Sequence, residues 1–220
     1  IEVNNNIMKM YVITIMENAD SVRAADRCIA TGKKHGCDIE KHSAYSPQNC
    51  NVIEELKKHK LSSKGFEEKY SRLENCIAGF LSHHSLWLKC IELNQPICIF
   101  EHDAVLVGGI PAVTTFDILS FGKPSYGKFN TPTFIGQGPL TSKPYFPGAH
   151  AYRITPNGAK QLVDEALKTA GPTDVYIHSS KFNLGEFYPW PAEANDSFTT
   201  IQRTEGCLAK HNYNESYKII

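Results

Sequence analysis

Apolar and polar positions follow one another along the chain in two periods, one typical of strands and one typical of helices. The β-branched and aromatic run at residues 10–15 predicts a first strand, with further strands at residues 38–43, 97–100, 117–121 and 149–154. Apolar residues at helical spacing predict helices from a cap at Asp20 or Ser21 to about residue 34, and at residues 52–58, 70–93 and 158–170. Strands and helices that alternate in this way predict a three-layer α/β domain.

One long segment, residues 122–148, interrupts this regular pattern. It is rich in glycine, proline and aromatic residues, and no helix or strand is predicted in it. A structureless stretch of this length inside a compact domain is usually functional. Its aromatic residues are candidates for stacking on a sugar or for closing over a ligand: Tyr126, Phe129, Phe134, Tyr145 and Phe146.

Two carboxylates directly follow the most apolar of the predicted strands. Residues 97–100 form a short apolar run, and Glu101 and Asp103 follow at positions i and i+2. Because alternate residues of an extended chain share a face, both carboxylates are expected to point into the same space. Oxygen ligands of this kind suit Mg²⁺ or Mn²⁺ carrying a diphosphate, and open α/β sheets bind ligands at the carboxyl edge. By itself the segment leaves a metal site and an acidic strand end equally open.

Composition narrows the class of protein. Lys+Arg and Asp+Glu both number 23, so no basic field argues for a nucleic acid partner and no acidic block for a solvating tail. The seven cysteines are an odd number without a C-x-x-C pair, which predicts reduced core cysteines in a cytoplasmic protein. The chain starts with polar residues and has no apolar run as long as a membrane span, so neither a signal peptide nor a transmembrane segment is predicted.

Four segments in order carry a resemblance to one family. They are the strand and helix at residues 11–24, Phe80-Leu-Ser-His-His-Ser-Leu-Trp87, Ile99-Phe-Glu-His-Asp-Ala-Val105, and the Gly148 to Leu162 block with its Ala-Tyr and Gly-Ala-Lys-Gln-Leu pieces. The chain resembles glycosyltransferase family 25, which includes bacterial lipopolysaccharide β-galactosyltransferases and procollagen galactosyltransferases. The resemblance spans residues 11–202, and two positions depart from it. His102 replaces the middle Asp of the family's acidic triplet, and Cys76 stands where the family has a Glu, with Glu74 two residues away.

The resemblance implies a single GT-A-type, Rossmann-like three-layer α/β domain with a mixed central sheet. It would occupy residues 9–205, after a poorly ordered lead-in at residues 1–8 and before a C-terminal tail at residues 206–220. The implied activity is metal-dependent, inverting transfer of a galactose-like sugar from a UDP-sugar to a saccharide or glycoconjugate acceptor, with Mn²⁺ or Mg²⁺. A role in lipopolysaccharide biosynthesis and a cytoplasmic location are expected. No nucleic acid partner is expected, and peripheral membrane contact and oligomeric state are left open.

The resemblance and the local sequence together name the candidate site residues. Asp103 is the expected direct metal ligand, and Glu101 is expected to bind the metal through water or to hold the donor ribose. Asp174 is the leading candidate for the base that activates the acceptor hydroxyl, with a turn-forming role equally open, and His178 is the second candidate. Further donor-binding candidates are Thr14, Arg23, Ser82, His83 and His150. His102 is expected to point to the opposite face from the two carboxylates, as a packed, hydrogen-bonded histidine rather than a ligand.

Two other functional classes stay open at this point. A metal-dependent phosphoesterase would need a two-metal centre built from His83, His84, His102, Asp103, His150, Asp174 and His178, although these histidines lack ligand spacing. A non-catalytic carbohydrate- or nucleotide-binding member of the same fold is favoured by the substitution at His102. Binding of UDP with Mn²⁺ and cleavage of a simple phosphate ester would separate the three classes.

Overall fold

The structure is a computed structural model that describes residues 8–68, 71–195, 198–202 and 218–220. Its helices are α1 (Ala19–Lys34), α2 (Val52–Lys58), α3 (Leu73–Leu93), α4 (Pro156–Thr169) and the short α5 (Thr173–Tyr176), with a 3₁₀ turn at Lys64–Phe66. The first six strands are β1 (Lys9–Thr14), β2 (Ile39–Ser43), β3 (Ile97–Glu101), β4 (Ala104–Leu106), β5 (Ile118–Ser120) and β6 (Gly136–Pro139). The remaining strands are β7 (Ala151–Ile154), β8 (Leu184–Tyr188), β9 (Ala192–Ala194), β10 (Phe198–Thr199) and β11 (Lys218–Ile219).

The central sheet has seven strands in the order β2-β1-β3-β7-β5-β8-β6. Strands β2, β1 and β3 are parallel, as expected where helices connect consecutive strands. Strand β7 runs antiparallel to both β3 and β5, so the sheet is mixed. The carboxyl ends of the three parallel strands therefore lie at one edge, the edge where Glu101 ends β3.

The sheet separates two hydrophobic clusters. Along β3, Ile97 and Ile99 pack on one side with α2, α3 and α4, while Cys98 and Phe100 pack on the other side with α1 and β4. All four side chains are fully buried, as the short apolar run predicts for a strand covered on both faces. Helix, sheet and helix form three layers, so the predicted three-layer α/β domain with a mixed sheet is confirmed.

Several predicted element boundaries and one loop are corrected by the structure. Helix α1 is capped by Asn18, whose side chain accepts the Ser21 N–H at 3.0 Å, so the predicted cap at Asp20 or Ser21 is wrong. Strand β6 lies within residues 122–148, where no regular element was predicted. It forms through antiparallel pairing with β8, a distant partner that compensates for its glycine and proline content. Strands β4, β8 and β9 were not predicted either.

The ends of the chain are described only in part. Residues 1–7 of the predicted lead-in, and Cys207 with the other residues from 203 to 217, lie outside the described residues. The six cysteines that the structure describes are free, as predicted. The described C-terminal pieces pair through β10 and β11, and Ile201 accepts the Arg72 N–H at 2.8 Å at the start of α3. We call residues 198–202 and 218–220 the C-terminal strap.

Candidate active site

Two neighbouring cavities lie at the carboxyl edge of the parallel strands. The first, which we call the α3 cavity, has a volume of about 270 Å³ and lies between the ends of β1 and β2 and the first turns of α3. The second, the Asp174 cavity, has about 180 Å³ and reaches from β3 to α5. Five residues line both cavities: Gly79, Glu101, His102, Thr200 and Ile201. Together the two cavities reach the size range of roughly 300–1,000 Å³ that is typical of small-molecule sites.

A chain of buried hydrogen bonds ends at Glu101. Trp87 Nε1 lies 2.9 Å from the Tyr152 hydroxyl, which lies 2.7 Å from His83 Nδ1. His83 Nε2 in turn lies 2.9 Å from Glu101 Oε1. Helix α3 supplies Trp87 and His83 four residues apart on one face, and β7 and β3 supply the other two members.

The proton positions in this series of hydrogen bonds follow from its first and last members, Trp87 and Glu101. The Trp87 indole can only donate, and an ionised carboxylate at Glu101 can only accept. Burial lowers the pKa of His83 to about 3, so its imidazole is neutral and carries one proton. His83 therefore donates from Nε2 to Glu101 and accepts the Tyr152 proton at Nδ1, an assignment made from the network. Every member is satisfied, and Glu101 is held in one orientation.

Asp103 lies in the turn between β3 and β4 and lines the Asp174 cavity with Glu101. The expectation that the two carboxylates face a common space is confirmed. Its stated reason, strand alternation, is wrong because the chain leaves the extended conformation after Glu101. His102 also lines both cavities, but its ring turns toward Ser21 of α1, whereas Glu101 pairs with His83 of α3 on the other side of the sheet.

His102 is a hydrogen-bonded histidine, as predicted. Its Nδ1 lies 2.8 Å from Ser21 Oγ, which also accepts the Ile15 N–H at 2.9 Å. The hydrogen bond between Ser21 and His102 joins the turn after β3 to the start of α1. Burial lowers the pKa of His102 to about 4, with the Arg27 charge adding to the effect, so the ring is neutral at pH 7.

Asp174, the leading base candidate, lies in the first turn of α5 and lines the Asp174 cavity. Its Oδ2 accepts a hydrogen bond from the Tyr126 hydroxyl, and its Oδ1 accepts the Val175 N–H at 3.0 Å. Burial raises the pKa of Asp174 above its usual value, while the bond from Tyr126 and the backbone N–H groups act in the opposite direction. Residues 122–148 thus contribute Tyr126 to the site.

The donor set at this edge suits a divalent cation completed by substrate. Glu101 and Asp103 line one cavity, and Mg²⁺ and Mn²⁺ are commonly held by one or two carboxylates together with substrate phosphates. Among the residues that the structure describes, no group of three or more His, Cys, Asp or Glu side chains is arranged to hold a metal ion. The two-metal centre required by a phosphoesterase is therefore not assembled in the described part of the chain.

Of the candidate donor-binding residues, Thr14, Arg23 and His150 line neither cavity, and Ser82 lines the α3 cavity with its hydroxyl already hydrogen-bonded. Thr14 is buried and donates from Oγ1 to the Val12 carbonyl at 3.0 Å. Arg23 is exposed on α1 and pairs with Asp20. His150 is buried, with its ring packed so closely that a Cβ on Gly122 would lie 2.5 Å from Nε2. Ser82 lines the α3 cavity, but its Oγ accepts the Tyr45 N–H at 2.9 Å and donates to Ala78, which fixes the loop after β2.

The second base candidate, His178, also lies away from the two cavities. Its Nδ1 accepts the Ser180 N–H at 3.0 Å, and its ring stacks on Tyr145 with 6.2 Å between centroids. Cys76, which stands where the family has a Glu, lines the Asp174 cavity, and Glu74, two residues away, is exposed. Burial raises the pKa of Cys76 to about 12, so it faces the cavity as a neutral thiol.

Sequence reasoning missed Arg72, Asn75 and the strap, all of which line the α3 cavity. Arg72 precedes the first residue of α3, and a charged residue at a predicted helix start was the signal available in the sequence. The strap residues had no such signal, because they reach the site only through pairing with one another and with the start of α3.

Comparison with known families decides the class of this protein. The family model described as glycosyltransferase family 25 (LPS biosynthesis protein) matches residues 8–117, half of the chain. The chain belongs to glycosyltransferase family 25. It is therefore an enzyme of the glycosyltransferase class, and the matched segment contains β1, α3 and the Glu101–Asp103 turn. No curated protein matches the chain by sequence.

Solved structures that match the chain include A197 from STIV, with a TM-score of 0.44, 10% identity and coverage of 82% of each chain. Another is a mutant of Drosophila β-1,4-galactosyltransferase 7 in complex with manganese, UDP-Gal and xylobiose. It has a TM-score of 0.37 and 9% identity, over 80% of this chain and 69% of that one. In the described part of the chain, no helix has both the length and the apolar character needed to cross a bilayer.

Proposed function

We propose that this glycosyltransferase moves a galactose-like sugar from a UDP-sugar to a saccharide or glycoconjugate acceptor, with inversion and with the aid of Mn²⁺ or Mg²⁺. The observation that carries the proposal is that Glu101, Asp103 and Asp174 line one cavity, which adjoins the α3 cavity along Glu101 and His102. Transfer needs a place for a diphosphate and a base for the acceptor, and these three carboxylates supply both.

In this proposal the α3 cavity binds the nucleoside part of the donor. Its lining combines an aromatic side chain, Tyr45, with the hydrogen-bonding groups of Ser46, Gln48 and Asn75. Apolar surface combined with convergent polar groups in a concave site is typical of small-molecule binding sites. A donor whose nucleoside occupies this cavity would carry its diphosphate toward Glu101, the residue shared by the two cavities.

In the proposed reaction Asp174 acts on the acceptor. Its carboxylate takes the proton of an acceptor hydroxyl, the hydroxyl oxygen bonds to the anomeric carbon, and the bond from that carbon to the diphosphate breaks. Burial raises the pKa of Asp174, which makes it a stronger base than an exposed carboxylate. Glu101 and Asp103 would hold the divalent cation, which when bound offsets the charge that develops on the leaving diphosphate.

Thermal unfolding of the wild type and of Asp103→Ala, with UDP, Mn²⁺, both or neither, tests the donor site. At a ligand concentration about a hundredfold above its dissociation constant, binding stabilises the protein by roughly 2.7 kcal/mol. We expect a shift that needs both ligands and that is lost in Asp103→Ala. Asp164→Ala is the matched control, because Asp164 is an exposed carboxylate on α4 that pairs with Lys160.

Two results would count against the proposal. The absence of any shift in the wild type with UDP, GDP and CMP would contradict a nucleotide-sugar donor. Metal-dependent cleavage of a simple phosphate ester would favour the phosphoesterase instead. Transfer itself is then measured as release of UDP from UDP-galactose in the presence of saccharide acceptors. A role in lipopolysaccharide biosynthesis and a cytoplasmic location stay predictions, as do the domain limits at residues 9 and 205.

A further inference from the structure

Arg72 stands out among the residues that line the α3 cavity. It is the only Lys or Arg in the described lining, whereas Glu17 and Glu101 contribute carboxylates. In the described part of the chain it forms no ion pair, and its Nε is buried without a hydrogen-bond partner. A guanidinium held partly out of water with its Nε unpartnered loses part of its solvation without replacement.

The position of Arg72 does not explain it as a helix cap. It is the N-cap residue of α3, with φ −75° and ψ 118°, and its side chain forms no capping hydrogen bond. Arginine is not a preferred N-cap, and a cation beside a helix N-terminus opposes the helix dipole. The local structure of α3 thus gains nothing from this side chain.

The present partners of Arg72 are two main-chain oxygen atoms of the strap. Its Nη2 donates to the Ile220 main-chain oxygen at 2.8 Å and, more weakly, to the Thr199 carbonyl at 3.4 Å. A phosphate oxygen accepts from a guanidinium in a charge-assisted hydrogen bond roughly twice as strong as a bond to a neutral acceptor. A phosphate that enters the α3 cavity can therefore compete for Arg72 against the neutral Thr199 carbonyl.

The charges of the site create a need for such a cation. A nucleoside diphosphate placed between the two cavities lies near Glu101, Asp103 and Asp174, which are all acidic. A divalent cation held by Glu101 and Asp103 would neutralise those two carboxylates. The negative charge of the diphosphate would then still lack a compensating positive charge. Arg72 is the side chain in the described lining of either cavity that carries a fixed positive charge.

We propose that Arg72 binds the diphosphate of the nucleotide-sugar donor, in exchange for the main-chain oxygen atoms of the strap. This inference rests on the proposed function and deepens it, because it assigns the anion-binding side chain of the same site. Arg72 is a donor-binding residue in this assignment, and the planar guanidinium suits two phosphate oxygens at once.

The test compares binding of UDP, inorganic pyrophosphate and uridine, each with Mn²⁺, to the wild type, Arg72→Gln, Arg72→Lys and Lys57→Gln. Lys57 is an exposed residue on α2 that pairs with Glu54, so Lys57→Gln makes the same charge change far from the cavities. Affinities are measured by isothermal titration calorimetry, and folding of each variant is checked by its unfolding temperature.

We expect Arg72→Gln to weaken UDP and pyrophosphate by about 10- to 100-fold, with uridine unchanged. The affinity of Arg72→Lys for UDP and pyrophosphate should lie between those of the wild type and Arg72→Gln, because lysine keeps the charge but lacks the planar pair of N–H donors. Lys57→Gln should bind all three ligands as the wild type does. The inference is overturned if Arg72→Gln binds UDP as tightly as the wild type. It is also overturned if uridine weakens as much as UDP, since Arg72 would then support the cavity wall.

The failures of the two proposals are distinguishable. A wild type that binds UDP, with no loss in Arg72→Gln, contradicts only the assignment of Arg72. A wild type that binds neither nucleoside diphosphates nor pyrophosphate contradicts the proposed function and the assignment together. A wild type that binds pyrophosphate through Arg72 but not UDP supports the assignment and overturns the choice of nucleotide.

Discussion

The two ends of the site hold their carboxylates in different ways. Glu101 lies at the end of a buried strand and is oriented by a fully paired chain through His83, Tyr152 and Trp87. Asp174 lies in a four-residue helix and is held by Tyr126, a side chain from the glycine- and proline-rich segment at residues 122–148. The first end is built from the layers of the domain, and the second from loops laid against them.

The difference matches two chemical tasks. A carboxylate that holds a cation gains from a fixed orientation, which buried hydrogen bonds supply. A carboxylate that takes a proton gains from a raised pKa, which burial gives to Asp174. The two ends should therefore respond differently to mutation and to pH.

The largest expected effect is on transfer by Asp174→Asn. The amide keeps the shape of the side chain but cannot take a proton, so kcat should fall by about 10²- to 10⁴-fold. Stabilisation by UDP with Mn²⁺ should stay within error of the wild type, because Glu101 and Asp103 are unchanged. Steady-state kinetics and thermal unfolding measure the two. Full activity in Asp174→Asn would remove Asp174 from the reaction.

Lowering the pH should reduce the stability of the protein mainly through the buried histidines around Glu101. The pKa of His83 is lowered to about 3 and that of His102 to about 4, both from 6.5, mainly by burial. Because the folded values are the lower ones, their stabilising contribution is complete above pH 6.5 and is lost as pH falls toward 4 and below. His42, His84 and His150, lowered to about 4, add to this loss.

The contribution of Asp174 to stability changes with pH in the opposite direction. Its pKa is raised from 3.8, so its contribution is complete below that value and is lost as pH rises through the folded value. We therefore expect urea unfolding to show a steady loss of stability from pH 7 to pH 4.5. The slope should be shallower in His102→Asn and unchanged in Asp174→Asn over the range above its folded pKa. A flat profile would mean that these histidines are not buried neutral.

Tyr152→Phe should destabilise the protein without touching either cavity wall. It leaves His83 Nδ1 without a donor and the Trp87 N–H without an acceptor, each at a cost of about 1–3 kcal/mol. Tyr176→Phe is the matched control, because Tyr176 is equally buried but donates a single bond to the Leu162 carbonyl at 2.6 Å. Urea unfolding should show a larger loss of unfolding free energy for Tyr152→Phe than for Tyr176→Phe. Equal losses would argue against the proposed hydrogen-bond directions from Trp87 through Tyr152 to His83.

The smallest expected effect is that of Tyr126→Phe. The Tyr126 hydroxyl favours the ionised form of Asp174, so its removal should raise the pKa of Asp174 further. The acid limb of kcat/KM should then move to higher pH by about one unit, the equivalent of one hydrogen bond. A pH profile of both proteins measures the shift. If the acid limb of kcat/KM stays at the same pH, Tyr126 does not affect the pKa of Asp174.

The parallel half of the fold was accessible from the sequence for a local reason. The strands at residues 10–15 and 97–100 and the helix ending at Leu93 carry their period and their end signals within a few residues. Glu101 and Asp103 were found because they directly follow a buried strand. The cap at Asn18 was missed although its signal was local, since several residues before α1 can cap a helix.

The second half depended on partners far apart in sequence. Strand β6 has glycine and proline residues that disfavour a strand, and it forms because β8 pairs with it. His150 and Arg23 were plausible donor-binding residues by type, but packing buried the first and the direction of α1 left the second in solvent. The strap reached the α3 cavity and Arg72 through contacts that no local pattern encodes.

The sequence by itself determined the three-layer α/β class, the family and the pair of carboxylates at the sheet edge, because these depend on periodicity and on motifs a few residues long. Only the tertiary structure decided which other groups face that edge. Burial made the histidines neutral, the direction of Tyr152 and His83 oriented Glu101, and loops placed Tyr126 on Asp174. The physical reason is that a pKa and an orientation are set by neighbours in space, and those neighbours come from all parts of the chain.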